Sequence, residues 1–172
     1  MDEEHEAAFE AFVSESGDAL LRTAVFLTPD PQVAEDVYQE TLYRLSTRWS
    51  RVESPLGFCR RVMRNIVIDR ARTQQRRPGE VELHPRFDSG DPRAGDPVAA
   101  VELRPALFSA LNTLSAQQRA IVVFRYWDDR SENEVAAILG VSIGTVKSGA
   151  SRAMARLRRH PALVGLFTTR YA

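Results

Sequence analysis

The sequence predicts an all-α protein made of two small helical domains joined by a flexible linker. Three observations lead to this prediction: apolar residues recur with helical spacing, no stretch alternates with the two-residue period of a strand, and a segment rich in proline, glycine and acidic residues separates two helical halves. We therefore divide the 172 residues into a first domain at 1–77, the linker at 78–104, a second domain at 105–160 and a tail at 161–172.

The first half contains three predicted helices. The first covers about residues 6–27, where an apolar stripe occupies an arc of about 120° at roughly 100° per residue. The second runs from about Pro31 to Thr47 and has an acidic outer face. The third opens at Pro55, a residue suited to a first helical turn, and continues to about Gln75 with arginines along one side.

The linker has a composition that does not build a core. Residues 78–97 contain four prolines and three glycines, with almost no apolar clustering. As a flexible chain, residues 79–103 span roughly 25 to 30 Å on average. The two halves could therefore lie far apart on a partner.

The second half begins with two helices, at about 105–114 and 118–126, and then contains the clearest local pattern in the chain. Ser131-Glu-Asn-Glu134 is a capping box that starts a short helix. Gly140 supplies the left-handed end of that helix, and Ser142 caps the next one. This arrangement predicts a helix-turn-helix.

The second helix of that motif is basic. From Ile143 to Arg159 it has five basic residues and no acid, and its polar residues share one side. A helix of this kind suits the major groove of DNA. The apolar residues that should face the core are Val146, Ala150, Ala153 and Leu157.

Charge is segregated along the chain although its sum is zero. Residues 1–40 hold eleven acids and one base, whereas residues 41–77 hold ten arginines and two acids. An ordinary solvated surface is one explanation, and separate faces for a basic protein and for phosphates are the other. The charge pattern alone leaves both open.

The composition disfavours several classes of function. No apolar run approaches the roughly 18 residues of a membrane span, and the first residues lack the basic region of a secretory signal, so we expect a cytoplasmic protein. Cys59, the single cysteine, is expected to be a small buried hydrophobe, and the three histidines lack metal-ligand spacing. We expect no metal, no cofactor and no catalytic residue.

Four motifs resemble those of one family, the sigma-70 family of RNA polymerase sigma factors. The segment Ala34-Glu-Asp-Val-Tyr-Gln-Glu-Thr-Leu42 resembles region 2.2. The segment Arg60-Arg-Val-Met-Arg-Asn-Ile-Val-Ile-Asp-Arg70 resembles region 2.4. Two segments resemble region 4: Leu114-Ser-Ala-Gln-Gln-Arg-Ala-Ile-Val-Val-Phe-Arg-Tyr126 and Gly140-Val-Ser-Ile-Gly-Thr-Val-Lys-Ser148. Because both sets stand in the family order, the chain resembles an extracytoplasmic-function (group 4) member of actinobacterial style.

The resemblance implies that core RNA polymerase and promoter DNA are the partners. Asp36, Gln39 and Glu40 would dock on the basic clamp helices of the β′ subunit, and the β flap is a further contact. An anti-sigma factor is also an expected partner, since sequestration by one is common in the family. Simple solvation of the acidic face is the alternative.

In the family, the third helix and the loop before it capture the melted −10 strand, where a flipped base couples recognition to melting. The donors that this sequence offers there are Arg60, Arg61, Arg64, Asn65, Arg70 and Arg72. For some of these arginines, the alternative to DNA binding is that they only solvate the helix. Trp49 is either a base-stacking residue or part of the core, and Asp69 is expected to orient a neighbouring arginine.

For the −35 duplex, the resemblance and the basic helix select Thr145, Lys147, Ser148, Arg152 and Arg156. Two positions depart from the family pattern: Arg130 stands where an apolar residue is usual, and Gly149 stands where a larger side chain is frequent. Helical spacing puts Gly149 on the same side as the DNA-facing residues. The base contacts of this helix are therefore open.

Three other functions remain alternatives. A conventional repressor or activator would explain the second half but not the arginine-rich third helix. A nucleic-acid enzyme would need a carboxylate cluster, a metal site or an activated nucleophile, and the sequence does not group such residues. A protein adaptor would tolerate the loss of Arg152 and Arg156.

Overall fold

A computed structural model describes residues 3–28, 30–76 and 97–164. Every regular element in those ranges is helical, which confirms the all-α prediction. The helices are α1 Glu3–Leu27, α2 Pro31–Ser46, α3 Pro55–Arg76, α4 Pro97–Asn112, α5 Ala116–Val122, α6 Glu132–Leu139 and α7 Ile143–Arg158. A 3-10 turn at Trp49–Arg51 precedes α3, and a π-helical turn at Val123–Trp127 extends α5.

Local signals fix where α2 begins. The carboxylate of Asp30 accepts hydrogen bonds from the backbone N–H groups of Gln32, at 2.8 Å, and Val33, at 3.4 Å. Pro31 occupies the first helical position, where its missing N–H is not needed. The short side chain at the cap and the proline after it therefore explain the sharp break after α1.

The capping box of α6 is present as predicted. The Glu134 carboxylate accepts from the Ser131 backbone N–H at 2.8 Å, and the Ser131 hydroxyl accepts from the Glu134 N–H at 3.2 Å. Gly140 ends α6 in the left-handed region, with φ at 63°. A second capping box, in which Gln118 takes the place of the glutamate and Ser115 caps α5, was not predicted from the sequence.

Helix α4 begins at Pro97, eight residues before the predicted start of the second domain at Pro105. Pro105 lies inside this helix rather than at its first turn. The linker predicted at 78–104 is therefore too long at its end, since residues 97–104 are helical. Its residues 78–96, residue 77 of the first predicted domain and residues 165–172 of the predicted tail lie outside the described residues.

The two halves share one hydrophobic core in this structure. Leu27, Val37 and Met63 of the first half are fully buried in the same cluster as Ile121 and Phe124 of the second half. Contacts join α1 and α3 to α5, and α3 to α6. Each half thus covers apolar residues that the other leaves open, a contact that linker length alone does not predict.

A buried cation lies at this junction. Arg119 of α5 is 8% exposed and donates to the carbonyl oxygens of Leu111 at 3.1 Å, Leu114 at 3.2 Å and Leu27 at 3.4 Å. Leu27 is the last residue of α1, and Leu111 lies in the last turn of α4. Carbonyl groups at helix C-termini carry partial negative charge, so they stabilise the guanidinium although its burial lowers the pKa of Arg119.

Replacing Arg119 with methionine removes these three hydrogen bonds and leaves buried carbonyl groups without their partner. We expect the free energy of unfolding to fall by about 2–4 kcal/mol, because a hydrogen bond to a charged group contributes about 1.5–3 kcal/mol while the loss of a buried charge offsets part of the total. Urea unfolding followed by circular dichroism measures the change.

The matched control is Arg158→Met at an exposed position of α7. Its free energy of unfolding should stay within about 0.5 kcal/mol of the wild-type value. An Arg119→Met protein as stable as this control would show that the guanidinium does not hold the halves together.

Candidate nucleic-acid interface

Helix α2 has a buried side and an acidic outer side. Ala34, Val37, Thr41 and Leu45 are buried against the core. On the opposite side, Asp36 and Gln39 are exposed, and Glu40 is half-buried and pairs with Arg44 at 2.7 Å. Tyr43, 66% exposed, lies among them and adds a large aromatic surface. The three residues predicted for polymerase binding therefore share one accessible face.

This acidic face adjoins the arginines of α3. Asp36 and Arg70 form an exposed ion pair at 3.4 Å between a carboxylate oxygen and Nη2. An open cleft beside this pair is lined by Arg44, Ile66, Asp69, Arg70, Thr73 and Gln74. The predicted polymerase and −10 surfaces are thus neighbours along the α2–α3 pair.

The six residues predicted for the −10 strand divide into two groups. Arg61, Asn65, Arg70 and Arg72 are exposed along α3. Arg60 and Arg64 are partly buried because the second half contacts them. The structure therefore leaves four of these side chains open to solvent and covers two.

The covering contacts are specific. The Arg60 guanidinium donates twice to the Asp128 carboxylate, from Nε to Oδ2 and from Nη2 to Oδ1 at 3.0 Å. Arg64 Nη2 donates to the backbone carbonyl of Leu139 at the end of α6, and its Nη1 donates to the Asn65 side chain at 2.7 Å. Asp128 was not among the residues that the sequence singled out, since it lies 68 positions from Arg60.

Buried residues orient α3. Cys59 is fully buried, as predicted, and burial raises the pKa of its thiol to about 12, so the group is neutral. Trp49 packs on Phe9 and Phe12, with ring centroids 5.3 and 5.5 Å apart, which favours its core role over base stacking. Asp69 faces Arg72 at 3.7 Å, in line with the orienting role expected for it.

Helix α7 presents the residues predicted for the −35 duplex. Lys147, Ser148, Arg152 and Arg156 are exposed, and Thr145 is half-buried at the first turn. The Ser142 hydroxyl caps this helix by accepting from the Thr145 N–H at 3.1 Å. The buried side consists of Val146, Gly149, Ala150, Ala153 and Leu157.

Gly149 is on the buried side of α7 and not among its DNA-facing residues, so the helical-wheel position assigned to it is wrong. A Cβ atom added at Gly149 would lie 2.5 Å from Cδ1 of the buried Ile121 in α5. The glycine therefore allows α7 to approach α5 closely. Its absent side chain removes nothing from the polar surface of α7.

Residues 3–28, 30–76 and 97–164 contain no three His, Cys, Asp or Glu side chains grouped so as to hold a metal ion. None of the described helices is both long and apolar enough to cross a membrane.

Comparison with protein families gives two matches in the order predicted by the motifs. Residues 12–77 match the model of sigma-70 region 2, and residues 104–157 match that of sigma-70 region 4. The first match contains α2 and α3, and the second contains the helix-turn-helix.

Curated relatives match over most of their own length. The chain is 40% identical over 153 residues to RNA polymerase sigma-E factor of Streptomyces antibioticus, covering 87% of this chain and 82% of the relative. It is 35% identical over 164 residues to the ECF RNA polymerase sigma factor SigL of Mycobacterium tuberculosis, covering 88% of each.

Solved structures have the same fold. The sigma factor RpoE of Bartonella quintana, crystallised with the anti-sigma factor NepR, superposes with a TM-score of 0.70 at 27% identity, over 88% of this chain and 94% of that one. CnrH, in complex with the cytosolic domain of CnrY, gives a TM-score of 0.62 over 89% of this chain and 86% of that one. At 23% identity, this second likeness concerns the fold alone.

The capping box of the helix-turn-helix should be visible in a pH titration. Hydrogen bonds from Ser131, with a smaller contribution from Arg130, hold the pKa of Glu134 down to about 2, against an ordinary value of 4.5. Because the folded pKa is depressed, the cap stabilises α6 above pH 4.5 and is lost as the pH falls through about 2. NMR of the Glu134 carboxyl carbon should give a midpoint near 2.

Ser131→Ala removes the hydroxyl but keeps the backbone N–H, which is the larger cause, so the midpoint for Glu134 should move up only part of the way from about 2 towards 4.5. The matched control is Ser142→Ala, which removes the cap of α7 and should leave the Glu134 midpoint where it is in the wild type. A wild-type midpoint near 4.5 would contradict the reciprocal cap.

Proposed function

The chain belongs to the sigma-70 family as an extracytoplasmic-function sigma factor, and on that premise we propose which of its faces carries each step of initiation. As a sigma factor it binds core RNA polymerase and directs promoter-specific transcription initiation. The observation that carries the assignment is that α2, α3 and α7 each have one buried side and one polar side. The polar side of α2 is acidic, whereas the polar sides of α3 and α7 are rich in arginine.

The acidic face of α2 is the polymerase-binding surface. Asp36, Gln39 and Glu40 lie together there beside the exposed Tyr43. Carboxylates of this kind complement a basic clamp on the β′ subunit, and an exposed aromatic ring adds apolar area at the centre of a polar contact.

The outer side of α3 is the surface that captures the melted −10 strand. Arg61, Asn65, Arg70 and Arg72 are already exposed, while Arg60 and Arg64 complete the row once they are uncovered. Guanidinium groups bind phosphates bidentately and also stack on bases, whereas the asparagine amide reads a base edge.

The polar side of α7 reads the −35 duplex. Its N-terminal turn carries Thr145, Lys147 and Ser148, which are placed as in other recognition helices, where the first residues contact base edges. Arg152 and Arg156 follow one turn apart and extend the contacts with base edges and phosphates along the groove.

Three further assignments belong to this proposal. The domains extend over residues 1–77 and 105–160 with the tail at 161–172, and of the linker at 78–104 the last residues, 97–104, form the start of α4. The protein catalyses no reaction itself and works in the cytoplasm, where the polymerase is. Its regulator is an anti-sigma factor, as the Bartonella quintana complex illustrates for a relative.

Reversing the charge of Asp36 tests the polymerase surface. Asp36→Arg introduces a cation at the centre of the acidic face, and we expect affinity for core polymerase to fall by about tenfold or more, because like charges across an interface cost several kcal/mol. The broken pair with Arg70 is exposed and contributes little to folding. Competition with a labelled sigma factor for core polymerase measures the affinity.

Glu15→Arg is the matched control, since Glu15 is an exposed acid on α1, outside the proposed surface. This variant should compete as well as the wild type. Equal losses in both variants would mean that net charge, and not the face of α2, governs binding.

Run-off transcription tests the role of α7. Holoenzyme assembled with core polymerase should give promoter-specific transcripts from a genomic promoter library. Arg152→Ala together with Arg156→Ala should reduce transcription from promoters with a −35 element by about 30-fold or more, since two lost base contacts cost about 1–3 kcal/mol each.

The control pair, Arg152→Lys with Arg156→Lys, keeps the charge but loses the guanidinium fork. If the arginines read bases, the lysine variant should still bind DNA but choose promoters poorly. A repressor would instead bind duplex DNA alone and give no transcript with core polymerase, and an adaptor would tolerate both pairs of substitutions.

A further inference from the structure

Ile143, the first residue of α7, is a large apolar side chain that faces solvent. It is 43% exposed, and neither hydrophobic cluster of the described residues includes it. We propose that Ile143 reads a thymine in the −35 duplex by packing on the C5-methyl group of that base in the major groove. The inference rests on the proposed role of α7, and it adds a residue that the polar and charged character of this helix does not select.

The place of Ile143 in the helix-turn-helix is that of a base-reading residue. In this motif the N-terminal residues of the second helix enter the major groove and contact base edges. The Ser142 hydroxyl caps α7 by accepting from the Thr145 N–H at 3.1 Å, so the helix begins at Ile143. Because the cap fixes the first turn, the Ile143 side chain is presented at the end of α7 that approaches the bases.

The other residues of this first turn offer little apolar surface. The hydroxyl oxygens of Ser142 and Thr145 lie 2.9 Å apart and are hydrogen-bonded to each other. Beyond its chain neighbours and the backbone of its own helix, a Cβ atom added at Gly144 would meet only Ser142 Oγ within 4 Å among the described residues, at 3.7 Å. A base pair can therefore approach the backbone closely beside Gly144, and Ile143 supplies the apolar surface that it meets.

Lys147 connects Ile143 to the surface already proposed for the −35 element. Residues four apart on a helix are neighbours on one side, so Lys147 follows Ile143 along α7. Lys147 Nζ lies 3.6 Å from Glu132 Oε2 of α6, in a pair whose side chains are 63% and 37% exposed. A pair so open to solvent contributes little, and the ammonium group stays available for DNA. Ile143 therefore adds one apolar contact beside a cationic one.

Thymine is the base that an apolar side chain distinguishes. Of the four bases it alone presents a methyl group in the major groove, whereas the others differ there in their hydrogen-bond donors and acceptors. An isoleucine side chain has neither a donor nor an acceptor, so it does not read those patterns. Removing the two apolar groups from water stabilises their contact, and burial of one methyl-sized group corresponds to a preference of about fourfold.

The test compares thymine with deoxyuracil, which lacks the methyl group and keeps the same hydrogen-bonding atoms. Holoenzyme made from core polymerase and the full chain is bound to a promoter that the run-off assay selects, with each −35 thymine on either strand replaced singly. Fluorescence anisotropy at constant salt measures the affinity. We expect one replacement to weaken binding by wild-type holoenzyme about fourfold. Ile143→Ala should bind the thymine promoter as weakly as the wild type binds the deoxyuracil promoter, and should not distinguish the two.

The matched control is Leu21→Ala, which removes a similar aliphatic side chain, 36% exposed, from α1. This variant should bind the promoter and respond to deoxyuracil like the wild type. Deoxyuracil at thymines outside the −10 and −35 elements should leave binding unchanged for every variant. Circular dichroism should show the same helicity for Ile143→Ala as for the wild type, because alanine is a good helix former at an exposed helical position.

The outcomes separate this inference from the proposed function. If wild-type holoenzyme transcribes specifically but binds every deoxyuracil promoter normally, or if Ile143→Ala still responds to the replacement, methyl reading is wrong and the function stands. Weaker assembly of Ile143→Ala with core polymerase would place the side chain in a protein contact and would also overturn methyl reading. Absence of promoter-specific transcripts with the wild type would overturn both. The expected result is a sensitivity to one methyl group that Ile143→Ala abolishes.

Discussion

The burial of Arg119 is the interaction on which the arrangement of the two halves depends. Its guanidinium belongs to α5, yet it donates to the carbonyl of Leu27 at the end of α1, to that of Leu111 in the last turn of α4 and to that of Leu114 just after α4. A cation removed from water needs such partners, because solvent no longer stabilises it. The side chain therefore links the ends of helices from different parts of the chain at one point.

A shared core and a polar contact also join the two halves. Leu27 and Phe124 are fully buried in the same cluster, whereas Arg60 and Asp128 form their pair at its edge. Burial of apolar side chains contributes the larger part of the favourable free energy, but it has little directional preference. The hydrogen bonds of Arg119 and Arg60 add direction, so the second half meets α3 in one orientation and covers one end of the arginine row.

The features predicted from sequence are those that local chemistry decides. Ser131, Glu134 and Gly140 act within one helix and its ends, so their roles followed from residue type and spacing. The exposed faces of α2 and α7 followed from helical periodicity in the same way. Gly149 was misplaced because ideal spacing puts it near the boundary between two faces, and only the position of Ile121 decides which face is buried. The pairing of Arg60 with Asp128 joins residues 68 positions apart, and no local pattern indicates it.

Cys59 gives the first half a chemical property that its packing alone would not suggest. A thiol reacts with oxidants and alkylating reagents as its thiolate, and a pKa of about 12 keeps that form scarce in the folded protein. The side chain is also fully buried next to the row of arginines. This cysteine is therefore unsuited to sensing redox signals directly.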